Sequence, residues 1–298
     1  MRISFWHKAA FAPFIAGIVL ILKPVSLVSY FAYPILVWGL LGMLDAWNLR
    51  KWNHSLMRGR PAFFWGMVVP ASSLFWLFFE FLNLLYPQWR YLNVPANEVA
   101  ATLLSFLSYS TVIPLVMEVF WLFHGPEELL GLSGKLARVT QRGRRWILPA
   151  FALALLLLFL LDRSFVTAQV MWCIPLFVFL PFVPATFVPV NGNASPERRM
   201  VLPSIIGAAF LSGLIWELGN YWARTKWDYL LLRNAPHLFE MPIAGYLGYI
   251  PFAFSVLTVY LWLRARVAYS PRRAIAMYGL ALAASYLFIV RYFAVFPP

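Results

Sequence analysis

Two sets of residues in this chain have the types and spacing for acid–base chemistry, and they are spelled in the same order. The first is Glu80, Asn83, Trp89, Tyr91, Asn93-Val94-Pro95, Glu98, Leu107-Ser108-Tyr109 and Pro114. The second is Glu217, Asn220, Trp227, Tyr229, Asn234-Ala235-Pro236, Glu240, Leu247-Gly248-Tyr249 and Pro251. The offset between them stays between 137 and 142, as expected of an internal duplication with a few short insertions. Both sets begin inside stretches almost free of charge. A carboxylate in apolar surroundings is costly, and inside a membrane segment it marks a site by default. Stripped of water, such a group must be protonated, paired or open to a watery cavity, and in its protonated form it is a general acid.

The elements that position these groups follow from the spacing. Glu80 and Asn83, like Glu217 and Asn220, are three residues apart, which puts each pair on one face of a helix. Each Glu lies about 9 Å inside the end of its helix at a rise of 1.5 Å per residue. The segments that follow, 87–97 and 224–239, are rich in Trp, Tyr, Arg and Lys and are expected to lie along the headgroup region. Pro95 and Pro236 then start the next helix, with Glu98 and Glu240 near its N-terminus, where the helix dipole favours a carboxylate. The candidate acids are therefore Glu80, Glu217, Glu98 and Glu240, and the candidate ligand contacts are Asn83, Asn220, Trp89, Trp227, Tyr91 and Tyr229. A structural role competes with each assignment. Glu98 and Glu240 cap helices, the Trp and Tyr residues anchor the interface, and the Glu/Asn pairs tie helices together with Arg90, Arg224 or Lys226 as ion partners.

The composition decides the class. Hydrophobic residues make up 62% of the chain and charged residues 12%, far from the balance of a soluble domain. The expected fold is an all-α integral membrane protein with nine transmembrane helices, at 5–22, 25–46, 61–86, 98–123, 146–162, 165–190, 201–223, 241–264 and 274–295. The first and fifth are short enough to be half-helices. The first reads as an uncleaved helix rather than a signal peptide, because no small-Xaa-small site precedes Lys23. In this arrangement the 24 basic residues divide 17 to 7 between the two sides, which places the N-terminus in the cytoplasm and the C-terminus outside. A bacterial inner membrane is the expected location. The net charge of +13 is thus a topological signal with anionic lipid as partner at the cytoplasmic loops, and no loop is long enough for a nucleic-acid-binding domain. Cys173 is the lone cysteine, the histidines are scattered, and no metal or cofactor motif is present. Glu118 has no acidic counterpart in the other set, and Asp45 reads as an ion partner of Arg50 and Lys51.

Four helices separate corresponding points of the duplication, so the two copies share one orientation and are parallel repeats about the membrane normal. The organisation is a first four-helix repeat at 1–124, a basic connector at 125–145, a second repeat at 146–266, and an extra helix within 267–298. That last helix, at 274–295, has no counterpart and either covers a flank or contacts a partner in a membrane complex.

The order of polar helix end, aromatic interfacial segment and Pro/Glu helix start resembles the lycopene-cyclase domain of carotenoid biosynthesis. That family carries a Pro-Xaa-Glu-Glu motif, and the nearest stretches here, Pro95-Ala96-Asn97-Glu98 and Phe239-Glu240-Met241-Pro242, each have a single Glu. The segment from Trp216 to Phe252, with Trp216-Glu217-Leu218 and Phe239-Glu240-Met241-Pro242, also resembles uncharacterised bacterial polytopic membrane proteins. The cyclase resemblance implies a redox-neutral isomerase without cofactor, acting on an apolar isoprenoid or other membrane lipid. In that chemistry a Glu protonates a carbon–carbon double bond and aromatic faces stabilise the cation. The competing readings are a transporter or lipid-handling protein with its site between the repeats, and a non-catalytic subunit of a membrane complex. Reporter fusions test the topology: fusions at residues 55 and 135 should report cytoplasm and one at 232 the exterior. A cytoplasmic signal at 232 would overturn both the orientation and the parallel arrangement.

Overall fold

The computed structural model describes residues 5–24, 26–124, 141–162, 164–183 and 201–296. Most of the expected connector, 125–140, and the basic pair Arg198 and Arg199 lie outside the described residues. Long runs of Leu, Phe, Val and Ala have to close their backbone hydrogen bonds internally where no water reaches them, and helices do so within one segment. The α-helices of six or more residues are α1 (Phe5–Leu22), α2 (Ala32–Trp52), α3 (Val69–Leu85), α4 (Glu98–Tyr109), α5 (Val112–Phe123), α6 (Gln141–Leu161), α7 (Phe165–Val170), α8 (Ile174–Phe179), α9 (Val201–Trp222), α10 (Tyr249–Arg266) and α11 (Pro271–Val295). Among the described residues, seven helical stretches are long and apolar enough to cross a membrane: Leu27–Trp52, Pro61–Leu85, Glu98–Phe123, Phe165–Phe182, Leu202–Trp222, Ile243–Arg266 and Pro271–Val295. Phe11–Leu22 and Trp146–Leu161 are apolar but shorter, in line with the short first and fifth segments expected from the sequence.

The sequence reading contains no strands, and here the structure adds to it. Strand β1 (Trp89–Leu92) pairs antiparallel with β2 (Lys226–Tyr229), and β3 (His237–Leu238) with β4 (Met241–Pro242). By packing, the chain forms two units. One comprises Met1–Glu118, Leu214–Ile243 and Tyr269–Pro298, and the other Val119–Gly213 and Ala244–Ala268.

In the first unit, α1 and α2 form a hairpin whose backbones touch. A Cβ on Gly39 would stand 2.2 Å from the Phe14 nitrogen, and one on Gly17 2.6 Å from the Leu36 backbone, so only glycine fits at either place. The span Pro61–Leu85 is interrupted by a π-helical turn at Phe64–Val68, where Val69 N–H reaches back to Phe64 O. Pro70 next has no N–H to give. The Tyr278 hydroxyl of α11 instead donates to Trp65 O at 2.7 Å. The span Glu98–Phe123 is broken at Ser110 and Thr111, between α4 and α5. Ser72 of α3 bridges that break: its hydroxyl donates to Tyr109 O (2.8 Å) and accepts from Ile113 N (2.9 Å). Helix α11 covers this assembly, packing on α3 and α4 through Ala281, Phe288, Ile289 and Tyr292.

Asp45 differs from its expected role as an ion partner of Arg50 and Lys51. Its carboxylate accepts from the Ser55 hydroxyl (2.8 and 2.7 Å) and Met57 N (3.1 Å), which fixes the turn after α2. Glu118 accepts from Asn48 Nδ2 at 2.6 Å.

The second unit mends a break in the same manner. The span Phe165–Phe182 has a 3-10 turn at Met171–Cys173 ahead of Pro175. There the Ser255 hydroxyl of α10 donates to Trp172 O (2.6 Å) and accepts from Leu176 N (3.2 Å). Also in this unit, the Tyr249 ring lies where a Cβ on Gly213 would be, 2.3 Å away.

The contrast between two adjacent serines tests this account of the broken span. Ser72→Ala strands a buried carbonyl and a buried N–H and should lower stability by about 1–3 kcal/mol. Ser73, whose buried hydroxyl has no hydrogen-bond partner among the described residues, should tolerate alanine without loss. Melting temperatures in detergent measure both, and equal effects would refute the bridging role.

Candidate functional site

Glu80 and Glu217 each stand five residues before the ends of their helices, at Leu85 and Trp222, and both are fully buried. Asn83 and Asn220, one turn on, are buried too. Each chain then turns and runs back as a strand past its own helix end. This is what brings Trp89 and Tyr91 to Glu80, and Trp227 and Tyr229 to Glu217.

At the first site, one carboxylate oxygen of Glu80, Oε1, accepts from the Tyr91 hydroxyl, from Trp76 Nε1 at 2.6 Å and from Trp89 Nε1 at 3.4 Å. The other oxygen, Oε2, is buried and has no hydrogen-bond partner among the described residues. The Tyr109 hydroxyl faces this carboxyl together with Tyr91 and Ser105. Burial, with the Glu80 carboxyl next to it, holds the Tyr91 phenol well above its ordinary range, so it stays a hydrogen-bond donor. At the second site, Glu217 Oε1 accepts from the Tyr229 hydroxyl (2.7 Å) and from Trp227 Nε1 (3.2 Å). The Tyr33 ring of α2 meets Trp227 edge-on at 5.5 Å, over Gly219, where a side chain would crowd it.

The asparagines act on the backbone. Asn83 accepts from Trp89 N (3.2 Å) and from Gln88 N (2.7 Å) through Oδ1, and donates to Trp89 O (2.9 Å) through Nδ2. Asn220 does the same at Trp227, accepting from N (2.7 Å) and donating to O (2.9 Å). A primary amide offers one donor and one acceptor side by side, as a strand does. Each asparagine therefore takes the place of a neighbouring strand at one residue of an exposed edge.

The register explains why those edges are free. Leu230 N donates to Gln88 O at 2.7 Å, and Trp89 pairs with Tyr229, Arg90 with Asp228, and Tyr91 with Trp227. In an antiparallel pair, hydrogen-bonded and non-hydrogen-bonded positions alternate. Trp89, Tyr91, Trp227 and Tyr229 thus turn their backbone groups outward and their side chains to a common face. The Tyr292 hydroxyl from α11 takes up both outward groups of Tyr91, accepting from N at 2.6 Å and donating to O at 2.9 Å. Arg90 and Asp228 lie on the opposite face and form an ion pair at 3.1 Å, with Arg233 also on Asp228 at 3.4 Å.

The structure thus brings eight of the ten candidate residues to the two buried carboxyls and separates the other two from them. Glu98 is the first residue of α4 behind the N-cap Asn97, is exposed, and accepts from the Tyr286 hydroxyl at 3.0 Å. Glu240 does not begin a helix. It sits in the two-residue turn between β3 and β4 and pairs with Lys226. Phe239 beside Glu240 in this hairpin has φ 56°, a strained conformation for a bulky side chain. The expected basic partners of the buried acids are engaged elsewhere: Arg90 with Asp228, Lys226 with Glu240, and Arg224 as donor to Ser29 and Tyr30. Sequence reasoning missed Trp76, although it lies one turn before Glu80. It also missed Tyr33 and Tyr292, which come from distant parts of the chain and left no local signal. Among the described residues no cluster of His, Cys, Asp and Glu is arranged to hold a metal ion.

No protein-family model, curated protein or solved structure matches this chain.

Removing the edge contacts should show where the ribbon is anchored. Asn83→Leu and Asn220→Leu each leave a buried N–H and C=O unpaired and should lower stability by about 1–3 kcal/mol. Arg90→Ala breaks only a partly exposed ion pair and should change stability by about 0–1 kcal/mol. Detergent melting of the three variants decides it, and a larger loss in the Arg90 variant would place the anchor on the outer face.

Proposed function

We propose that this protein is a membrane enzyme that uses Glu80 as a Brønsted acid on an apolar, unsaturated lipid of isoprenoid type, in the manner of a cyclase or double-bond isomerase. The carrying observation is the division of labour on the Glu80 carboxyl. Three aromatic donors hold Oε1, while Oε2 is buried and without a hydrogen-bond partner among the described residues. A carboxyl held this way keeps its proton on Oε2 and presents it to whatever lies against it. In the step itself the proton leaves Oε2 and the π electrons of the alkene form the new C–H bond. A carbocation results, and loss of a proton from a neighbouring carbon restores a double bond, so no oxidant or reductant is needed. Electron-rich rings of Trp76, Trp89 and Tyr109, the last two with centroids 6.1 and 6.2 Å from that of Trp76, suit the cation.

The scaffold in this reading is nine membrane crossings with a cytoplasmic N-terminus, made of two parallel halves, 1–124 and 146–266, and a last helix at 274–295. The ribbon supports a two-fold relation of the halves. Its register pairs Trp89 with Tyr229 and Tyr91 with Trp227, so exchanging the two sets maps the ladder onto itself.

A second reading has one observation in its favour. At Glu217 the Trp227 and Tyr229 donors come from the strand that follows the helix, so the carboxyl there works as a clasp. On this view the second set is structural and the first carries the chemistry.

The test is deuterium incorporation. Full-length protein in liposomes containing membrane lipid extract, incubated in heavy water, should add deuterium to an unsaturated isoprenoid fraction read by mass spectrometry. Glu80→Gln should reduce incorporation by about 100-fold or more while the folded protein accumulates normally. Absence of protein-dependent incorporation, or an unimpaired Glu80→Gln variant, would overturn the acid assignment.

A further inference from the structure

Helix α4 carries a polar stripe that the acid assignment leaves unused. Glu98, Thr102, Ser105 and Tyr109 follow one another at spacings of four, three and four, so they lie on one face of the helix. The stripe runs from surface to interior. Glu98 is exposed at the first turn, Thr102 and Ser105 are each 8% exposed, and the Tyr109 hydroxyl lies beside both Ser105 and Glu80.

The hydroxyl of Thr102 is the informative one. A buried Ser or Thr in an apolar helix ordinarily satisfies itself on a carbonyl of the preceding turn. Ser110, Thr111 and Thr258 of this chain all do so, at 2.6 to 2.8 Å. Thr102 does not, and its buried Oγ1 has no partner among the described residues. The Ser285 hydroxyl, on the helix that packs against α4, is buried and without a partner in the same way. Stranded hydroxyls are costly where no ligand or water engages them, and two on packed helices suit a file of water.

Resting on the assignment of Glu80 as an acid, we infer that this face of α4 is a proton path that reloads Glu80 from the aqueous surface. Each hydroxyl, with water between Thr102 and its neighbours, passes on its own proton as it takes the next. One proton thereby moves from the Glu98 carboxyl to Glu80, the path itself ends unchanged, and bulk water restores Glu98. The stretch following Glu240, Ala244-Gly245-Tyr246-Leu247, has no Ser or Thr and so does not repeat this stripe.

Infrared spectroscopy reads this path without a substrate. In full-length protein in lipid, Glu80→Gln should remove one protonated-carboxyl band, which identifies Glu80. On transfer to heavy water that band should shift quickly in the wild type, and at least about tenfold more slowly in Thr102→Val and Ser105→Ala. Thr102→Ser should restore the fast rate, with melting temperatures confirming that each variant is folded. If Glu80→Gln removes no band, the acid assignment falls and the path with it. Wild-type exchange in both Thr102→Val and Ser105→Ala would overturn the path alone, and so would a slow Thr102→Ser variant, because the effect would then be one of packing.

Discussion

A buried carboxyl that accepts from aromatic side chains is the constraint on which the rest of this structure depends. Glu80 and Glu217 sit near helix ends, and the donors described for them are aromatic rather than basic side chains. Each draws donors from the strand that follows, and Glu80 one more from Trp76 on its own helix. Indole N–H and phenol O–H groups serve this purpose well, because Trp and Tyr bring a donor on an apolar body that tolerates the membrane boundary. An arginine would neutralise the carboxyl outright. Aromatic donors hold it in place and leave its protonation open.

Fixing a strand by its side chains leaves the problem of its edge. A two-stranded ribbon is marginal alone and has unpaired backbone on both sides. Here the edges are closed with side chains: Asn83 at Trp89, Asn220 at Trp227, and the Tyr292 hydroxyl at Tyr91. The interrupted helices are treated alike, with Ser72, Tyr278 and Ser255 each reaching a backbone group that a break or a proline leaves open. Since lipid offers no hydrogen bonds, irregular backbone survives only where some side chain supplies them. The hydroxyl and amide residues of this apolar chain are concentrated at such places.

This logic also explains what could be read from the sequence. The apolar runs gave the helices, because in a membrane a long apolar segment has few other options. The Glu/Asn pairs and the Trp/Tyr residues were visible through their order and spacing, and their meeting at two buried carboxyls follows from a helix end, a turn and a return strand. The strands themselves were not legible, since four residues such as Trp89–Leu92 have no periodicity to detect. Glu240 was misplaced because its resemblance to Glu98 took Pro236 for a helix start, where the chain instead enters the β3–β4 hairpin. Tyr33 and Tyr292 lie far along the chain from the carboxyl groups they adjoin, and nothing local distinguishes them from other interfacial tyrosines.

The two sets differ in ways that bear on what each can do. Trp76, which adds a third donor and a ring beside Glu80, has glycine at the matching position, Gly213. Leu82, beside Asn83, corresponds to Gly219, which admits Tyr33 over Trp227. The first set lies under α11, while the second has the tip of α2. A clasp needs only its strand donors, and both sets have those. A site that handles protons also needs further rings to face a cation and a route for resupply. The Trp76 donor and ring, the Tyr109 ring beside it, and the polar face of α4 all belong to the first set. The surplus over what a clasp requires lies on one side, and that asymmetry is the physical reason for assigning chemistry to Glu80 and support to Glu217.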